Sequence, residues 1–98
     1  MKLYAIRRPS GWQSPEQIQA TAARSLRVGD DEMPTDIRWI RSYVVSEPDG
    51  SLGTICIYQA SSPEKIREHA FRVDMPAAEI WEVADTVIVR PDPVEVAA

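Results

Sequence analysis

The sequence predicts an α+β domain with the ferredoxin-like order β-α-β-β-α-β, in which two helices cover one face of a four-stranded antiparallel sheet. Two nearly identical segments, SPEQI at 14–18 and SPEKI at 62–66, have the composition of helix starts. Apolar and β-branched segments of strand length lie before, between and after them. At 98 residues the chain is long enough for one such domain and too short for two.

Each SPE segment combines a serine N-cap, a proline suited to the first helical position and a glutamate near the positive end of the helix dipole. We predict a first helix over 15–28 that stops at Gly29, and a second that ends before MPAAE at 75–79. The apolar stripe predicted for the first helix consists of Ile18, Ala22 and Leu26, and that of the second consists of Ile66, Ala70 and Val73.

Strands are predicted at 2–8, 37–45, 53–59 and 80–89, and EPDG at 47–50 suits a hairpin turn between the middle two. RPDP at 90–93 ends the last strand, because proline cannot donate to a ladder. MPTDI at 33–37 and MPAAEI at 75–80 lead into matching strands, which indicates two similar βαβ halves. The predicted domain is 1–90, and 91–98 is a tail that either crosses a partner subunit or frays.

Alternation along the strands separates the two faces of the predicted sheet. We expect Ile55 and Ile57 to face the helices, which leaves Cys56 and Tyr58 on the other face. That second face is rich in aromatic side chains, so a second copy of the chain is expected to cover it about a two-fold axis, as a dimeric α/β barrel. The ligand pocket predicted in the lumen is lined by Tyr4, Trp39, Arg41, Tyr43, Cys56, Tyr58 and Trp81.

Arg41 stands out because a guanidinium on an aromatic face needs an anionic partner. The sequence leaves two partners open, either a carboxylate of the neighbouring strand or an anionic ligand. The candidate carboxylates are Glu79, Glu82 and Asp85.

Two further side chains are candidates for chemistry. His69 is the only histidine and is predicted at the edge of the second helix's buried stripe, with either a structural role or a role as metal ligand or acid-base group. Cys56, the only cysteine, is predicted to be a small buried hydrophobe. A Cys56–His69 nucleophile pair is disfavoured because the predicted faces place the two residues on opposite sides of the sheet.

Composition argues against several classes of protein. The formal net charge of −4 and the lack of a basic patch argue against a nucleic-acid partner, and no apolar run is long enough to span a membrane. The single cysteine and an N-terminus without a long apolar region favour a cytoplasmic location.

Five segments in this order resemble a known family: WIRSYV at 39–44, CIYQA at 56–60, SPEKIREHA at 62–70, MPAAEIWEV at 75–83 and DP at 92–93. The chain is similar to small bacterial proteins of unknown function that are labelled nickel-binding-protein-like. The resemblance implies a ferredoxin-like dimeric α/β barrel and nickel as a possible cofactor, and His69 matches the family's helix histidine.

We therefore predict a cytoplasmic homodimer that binds a metal ion, with nickel as the candidate, or a small ligand. Two alternatives remain open at this point. One is a cofactor-independent isomerase or monooxygenase with an aromatic-lined pocket, which rests on fold analogy. The other is a structural or regulatory dimer without a ligand.

Overall fold

The computed structural model describes residues 1–93, which form one antiparallel four-stranded sheet with two helices against one face. The elements in chain order are β1 (Lys2–Trp12), α1 (Pro15–Arg27), β2 (Ile37–Ser46), β3 (Leu52–Ala60), α2 (Pro63–Val73) and β4 (Glu79–Glu82). The spatial strand order is β2-β3-β1-β4. The predicted ferredoxin-like α+β architecture is confirmed.

Both predicted helix starts are confirmed by their capping bonds. Ser14 Oγ accepts a hydrogen bond from the backbone N–H of Gln17, and Ser62 Oγ accepts one from Lys65, each at 3.3 Å. The helix ends differ from each other. α1 does not stop at Gly29 but continues into a π-helical turn, Val28–Glu32, whereas α2 ends at Asp74 in the left-handed conformation with φ 63°.

The stripe predicted for α2 is confirmed, since Ile66, Ala70 and Val73 are all buried. The stripe predicted for α1 is wrong at Leu26, while its other two members, Ile18 and Ala22, are half-buried. The buried residues of α1 are Thr21 and Ser25, while Leu26 is exposed. The physical reason is that both hydroxyls have buried partners in the sheet, so these polar residues can face inward at little cost.

The predicted assignment of the sheet faces is also wrong. The helices cover Cys56 and Tyr58 of β3, whereas Ile55 and Ile57 point to the opposite face and are only partly buried. In β2 the register shifts at Ile40, so that Trp39 lies opposite Tyr58 and Arg41 opposite Ile57. We call the helix-covered side the inner face and the other side the open face.

The last strand is shorter than predicted. β4 covers only Glu79–Glu82 and pairs with β1 at one edge of the sheet. The chain beyond it crosses the open face, from a bond between the N–H of Val83 and the carbonyl of Leu3 to contacts of Asp92 with β2 at the far edge. Positions 94–98 of the predicted tail lie outside the described residues. Among residues 1–93, no helix has the length and apolar character that crossing a membrane requires.

Candidate ligand-binding site

A cavity of about 240 Å³ opens on the inner face, between α1 and the sheet. Its walls come from both halves of the chain and are mostly apolar or aromatic. The lining residues are Arg8, Trp12, Ile18, Thr21, Ala22, Ser25, Trp39, Ser42, Val44, Thr54, Cys56, Tyr58 and Met75. The half-buried Ile18 and Ala22, both predicted in the inward stripe of α1, lie in this wall beside the small buried side chains of Thr21 and Ser25.

Arg8 is the charged residue of this wall and is fully buried, with 0 % of its surface exposed. It lies on the inner face because residues alternate along β1, so that Arg8 follows Tyr4 and Ile6 on the same side. One nitrogen, Nη1, donates to the backbone carbonyl of Pro76 at 2.6 Å. Nε and Nη2 are buried and have no hydrogen-bond partner among the described residues. No carboxylate of residues 1–93 lies within 4.0 Å of the guanidinium.

Tyr58 is the centre of a buried aromatic cluster beside the cavity. Its ring stacks on Trp39 with centroids 6.1 Å apart and makes a T-shaped contact with the ring of His69, with centroids 5.4 Å apart. The Arg8 guanidinium lies 5.7 Å from the centre of the same ring, within the range of a cation–π contact. Burial raises the pKa of the Tyr58 hydroxyl, so this group stays protonated and neutral at physiological pH.

The hydroxyl groups in the cavity wall bond to one another or to indole nitrogens. Trp12 Nε1 donates to Thr21 at 2.9 Å, Trp39 Nε1 donates to Ser42 at 2.8 Å, and Ser25 bonds the hydroxyl of Tyr58 at 2.8 Å. The thiol of Cys56 donates to Thr54 at 3.2 Å. Among the buried side-chain nitrogen and oxygen atoms of the cavity wall, within the described residues, only Nε and Nη2 of Arg8 have no hydrogen-bond partner at all.

The predicted pocket residues divide between the two faces of the sheet. Trp39, Cys56 and Tyr58 line the inner cavity, and Tyr4 is buried in the core beside them. Arg41 and Tyr43 face the open side, and Trp81 is half exposed opposite Ala5 of β1. Within one chain these seven residues do not line one pocket, because the bulge at Ile40 and the alternation of the strands separate them.

Arg41 does have an anionic partner, but not one of the three predicted. Its Nη1 lies 3.0 Å from a carboxylate oxygen of Asp92, and the Tyr43 hydroxyl donates to the same carboxylate at 2.9 Å. Both ends of the Arg41–Asp92 pair are about half exposed, so it contributes little to stability. Its structural effect is to hold the C-terminal segment against β2.

His69 is buried rather than at the edge of the helix stripe, and it lies on the same side of the sheet as Cys56. The expectation of opposite sides was wrong because it followed from the inverted faces. Nε2 of His69 donates to the carbonyl of Ser25 at 3.0 Å, which leaves Nδ1 as a buried lone pair with no partner among the described residues. In residues 1–93, no hydrogen bond joins Cys56 to His69, so the thiol lacks the adjacent base that a nucleophile requires.

The same geometry tests whether one chain can hold nickel. Within the described residues, His, Cys, Asp and Glu side chains do not come together in groups of three that could hold a metal ion. Nδ1 of His69 has a free lone pair that could coordinate a metal ion, but it lies in the core and has no second metal ligand beside it among the described residues. Residues 1–93 of one chain therefore do not fit a nickel centre, which needs several nitrogen, sulfur or oxygen ligands.

Comparisons with known proteins add the following. The model of the family described as "Nickel responsive protein SCO4226-like" matches residues 4–83. The crystal structure of SCO4226 from Streptomyces coelicolor A3(2) is similar, with a TM-score of 0.68, 19 % sequence identity, and coverage of 87 % of this chain and 99 % of that one. No curated protein matches. At this identity, the structural likeness supports the fold alone.

Proposed function

The chain belongs to the SCO4226-like family of nickel responsive proteins, and from this premise and the geometry of the inner face we propose that it is a small-molecule-binding protein whose ligand occupies the cavity between α1 and the sheet. The observation that carries the proposal is the cavity itself, about 240 Å³ of space with apolar walls and a buried charged group. Small-molecule sites in proteins are concave and largely apolar, with a few placed polar groups. The volume is below the usual range of about 300–1,000 Å³ for drug-sized ligands, so the ligand is small.

A panel of three single-ring probes tests the location of the site without assuming the ligand's charge. Benzoate, benzamide and benzylamine are anionic, neutral and cationic molecules of similar size. We expect at least one to raise the melting temperature of the protein, because a ligand that binds only the folded state stabilises it. Ala22→Leu places a larger side chain in the cavity wall and should remove the shift, whereas Ala23→Leu, on the exposed side of the same helix, should preserve it. If none of the probes binds, or if Ala22→Leu has no effect on binding, the proposal is wrong.

We also propose that the chain functions as a homodimer joined through its open face. The support is the composition of that face, where Tyr43 is half exposed near three strongly exposed residues of the C-terminal segment, Val87, Ile88 and Val89. Trp81 of β4 is also half exposed on this face, opposite Ala5. Apolar side chains in such a cluster commonly mark an interface between protein chains. The cavity on the inner face lies on the other side of the sheet from this surface.

Nickel remains a prediction that a direct experiment can decide. The predicted role of His69 as a ligand requires nickel to raise the melting temperature and His69→Ala to remove the effect. From the bonded Nε2 and the buried Nδ1 we expect no shift that depends on His69. A shift that His69→Ala abolishes would establish a metal site that the described residues of one chain do not form.

A further inference from the structure

We propose that the ligand of the inner cavity is a small monocarboxylate with a flat apolar body, and that Arg8 binds its carboxylate through Nε and Nη2. This inference rests on the proposed function, because it specifies the chemical class of the molecule in the cavity.

Arg8 is a buried cation without a counter-charge beside it among the described residues. An arginine side chain stays protonated in proteins, and burying a cation without a counter-charge costs several kcal/mol. Arg8 is 0 % exposed, and its recorded contacts are a carbonyl oxygen and the face of the Tyr58 ring. Neither contact carries a full negative charge. An anion in the cavity would supply the negative charge that these two contacts lack.

The geometry of the two unpartnered nitrogens of Arg8 matches a carboxylate. Nε and Nη2 form one edge of the planar guanidinium, and that edge presents two parallel N–H donors. A carboxylate has two oxygens at the matching spacing, so it can accept both bonds at once. The carbonyl of Pro76 accepts a hydrogen bond from Nη1, on the other side of the group, so this bond does not occupy the free edge.

The size of the cavity and the chemistry of the rest of its wall limit the body of the ligand. One water occupies about 30 Å³ in the liquid, so a cavity of about 240 Å³ has room for about eight atoms of that size. The aromatic rings of Trp12, Trp39 and Tyr58 favour a flat apolar body. Each of the Thr21, Ser25 and Ser42 hydroxyls already has one hydrogen-bond partner, whereas two nitrogens of Arg8 have none, so the wall suits a ligand with one anionic group better than one with many hydroxyls.

Benzoate and benzamide provide a matched test because they share a shape and differ in charge. We expect benzoate to bind the unaltered protein at least about tenfold more tightly than benzamide at pH 7, since hydrogen bonds between charged groups are the stronger ones. Arg8→Met, which keeps a long side chain without the charge, should abolish this preference. Arg41→Gln, which removes an exposed arginine on the open face, should preserve it.

The outcomes separate the two proposals. Equal affinity for benzoate and benzamide, with binding still blocked by Ala22→Leu, would overturn the carboxylate and leave the cavity as the binding site. A lack of binding by all three probes would overturn both. The comparison of the two probes is made on the unaltered chain, so it decides the matter even if Arg8→Met fails to fold. Glu95 lies outside the described residues, and tighter benzoate binding in Glu95→Gln would identify an internal counter-charge and overturn the proposal.

Discussion

At the scale of single residues, the surroundings of His69 in its buried cluster with Arg8 and Tyr58 change its pKa. Burial lowers the pKa of His69 below its ordinary value of 6.5; the bond to the Ser25 carbonyl opposes this change, and the positive charge of Arg8 adds to it. His69 therefore stays neutral in the folded protein at a pH where it is partly protonated in the unfolded chain.

This difference predicts a pH dependence of stability. The unfolded chain takes up a proton on His69 as the pH falls through about 6.5, and the folded chain does not until a lower pH. The free energy of unfolding should fall on acidification in this window, by up to about 1.4 kcal/mol per pH unit from this group. Urea denaturation between about pH 8 and about pH 5 measures it.

His69→Gln is the matched control, because glutamine can donate to the Ser25 carbonyl and does not titrate. The variant should show a flatter profile over the same range. Identical slopes in the two proteins would mean that His69 binds its proton equally in the folded and unfolded states.

The role of Arg8 shows what the sequence can predict at this scale. The alternation of Tyr4, Ile6 and Arg8 along β1 places the arginine on their side of the sheet, and this pattern is visible in the sequence. The free edge of its guanidinium is not visible there. It depends on the carbonyl of Pro76, 68 positions away along the chain, and on the ring of Tyr58.

At the scale of elements, the helices could be predicted better than the faces of the sheet. Helix starts depend on local capping chemistry, and both serine caps were predicted correctly. Both faces of β3 carry apolar side chains, so alternation alone did not indicate which set is buried. The bulge at Ile40 then reversed the phase within β2, which no composition signal announces.

The end of α2 gives a prediction at this scale. Asp74 has φ 63°, a conformation that is unfavourable for residues with a Cβ and free of strain for glycine. Asp74→Gly should leave stability unchanged or raise it, and Asp74→Ala should lower the free energy of unfolding by about 1 kcal/mol. Thermal denaturation of the two variants measures both effects. A higher stability of the alanine variant than of the glycine variant would contradict the left-handed conformation of residue 74.

At the scale of the whole molecule, the sheet separates two surfaces of different character. The inner face encloses the cavity, and the open face presents exposed apolar side chains beneath and along the C-terminal segment. From the sequence we predicted an apolar sheet face that a second chain covers, and we predicted the ligand pocket on that same face. The structure moves the candidate pocket to the inner face.

The proposed dimer predicts a species of twice 11.0 kDa in light scattering. Replacing both Val87 and Val89 by aspartate should shift the population to the single chain, because charged groups would be buried at the interface. Phe71→Asp is the control, since Phe71 is 87 % exposed on α2, on the other side of the sheet. A monomer in the unaltered protein, or dissociation caused by Phe71→Asp, would contradict a dimer through the open face.

The account as a whole depends on a ligand bound by Arg8 on the inner face. The most direct test is a titration of the nitrogen-15-labelled protein with benzoate, observed at the arginine Nε–H signals in the NMR spectrum. The account predicts that the Arg8 signal moves and saturates together with backbone signals of Thr21 and Ser25 in α1, while Arg41 is unaffected. Movement confined to Arg41 and its neighbours on the open face would contradict it.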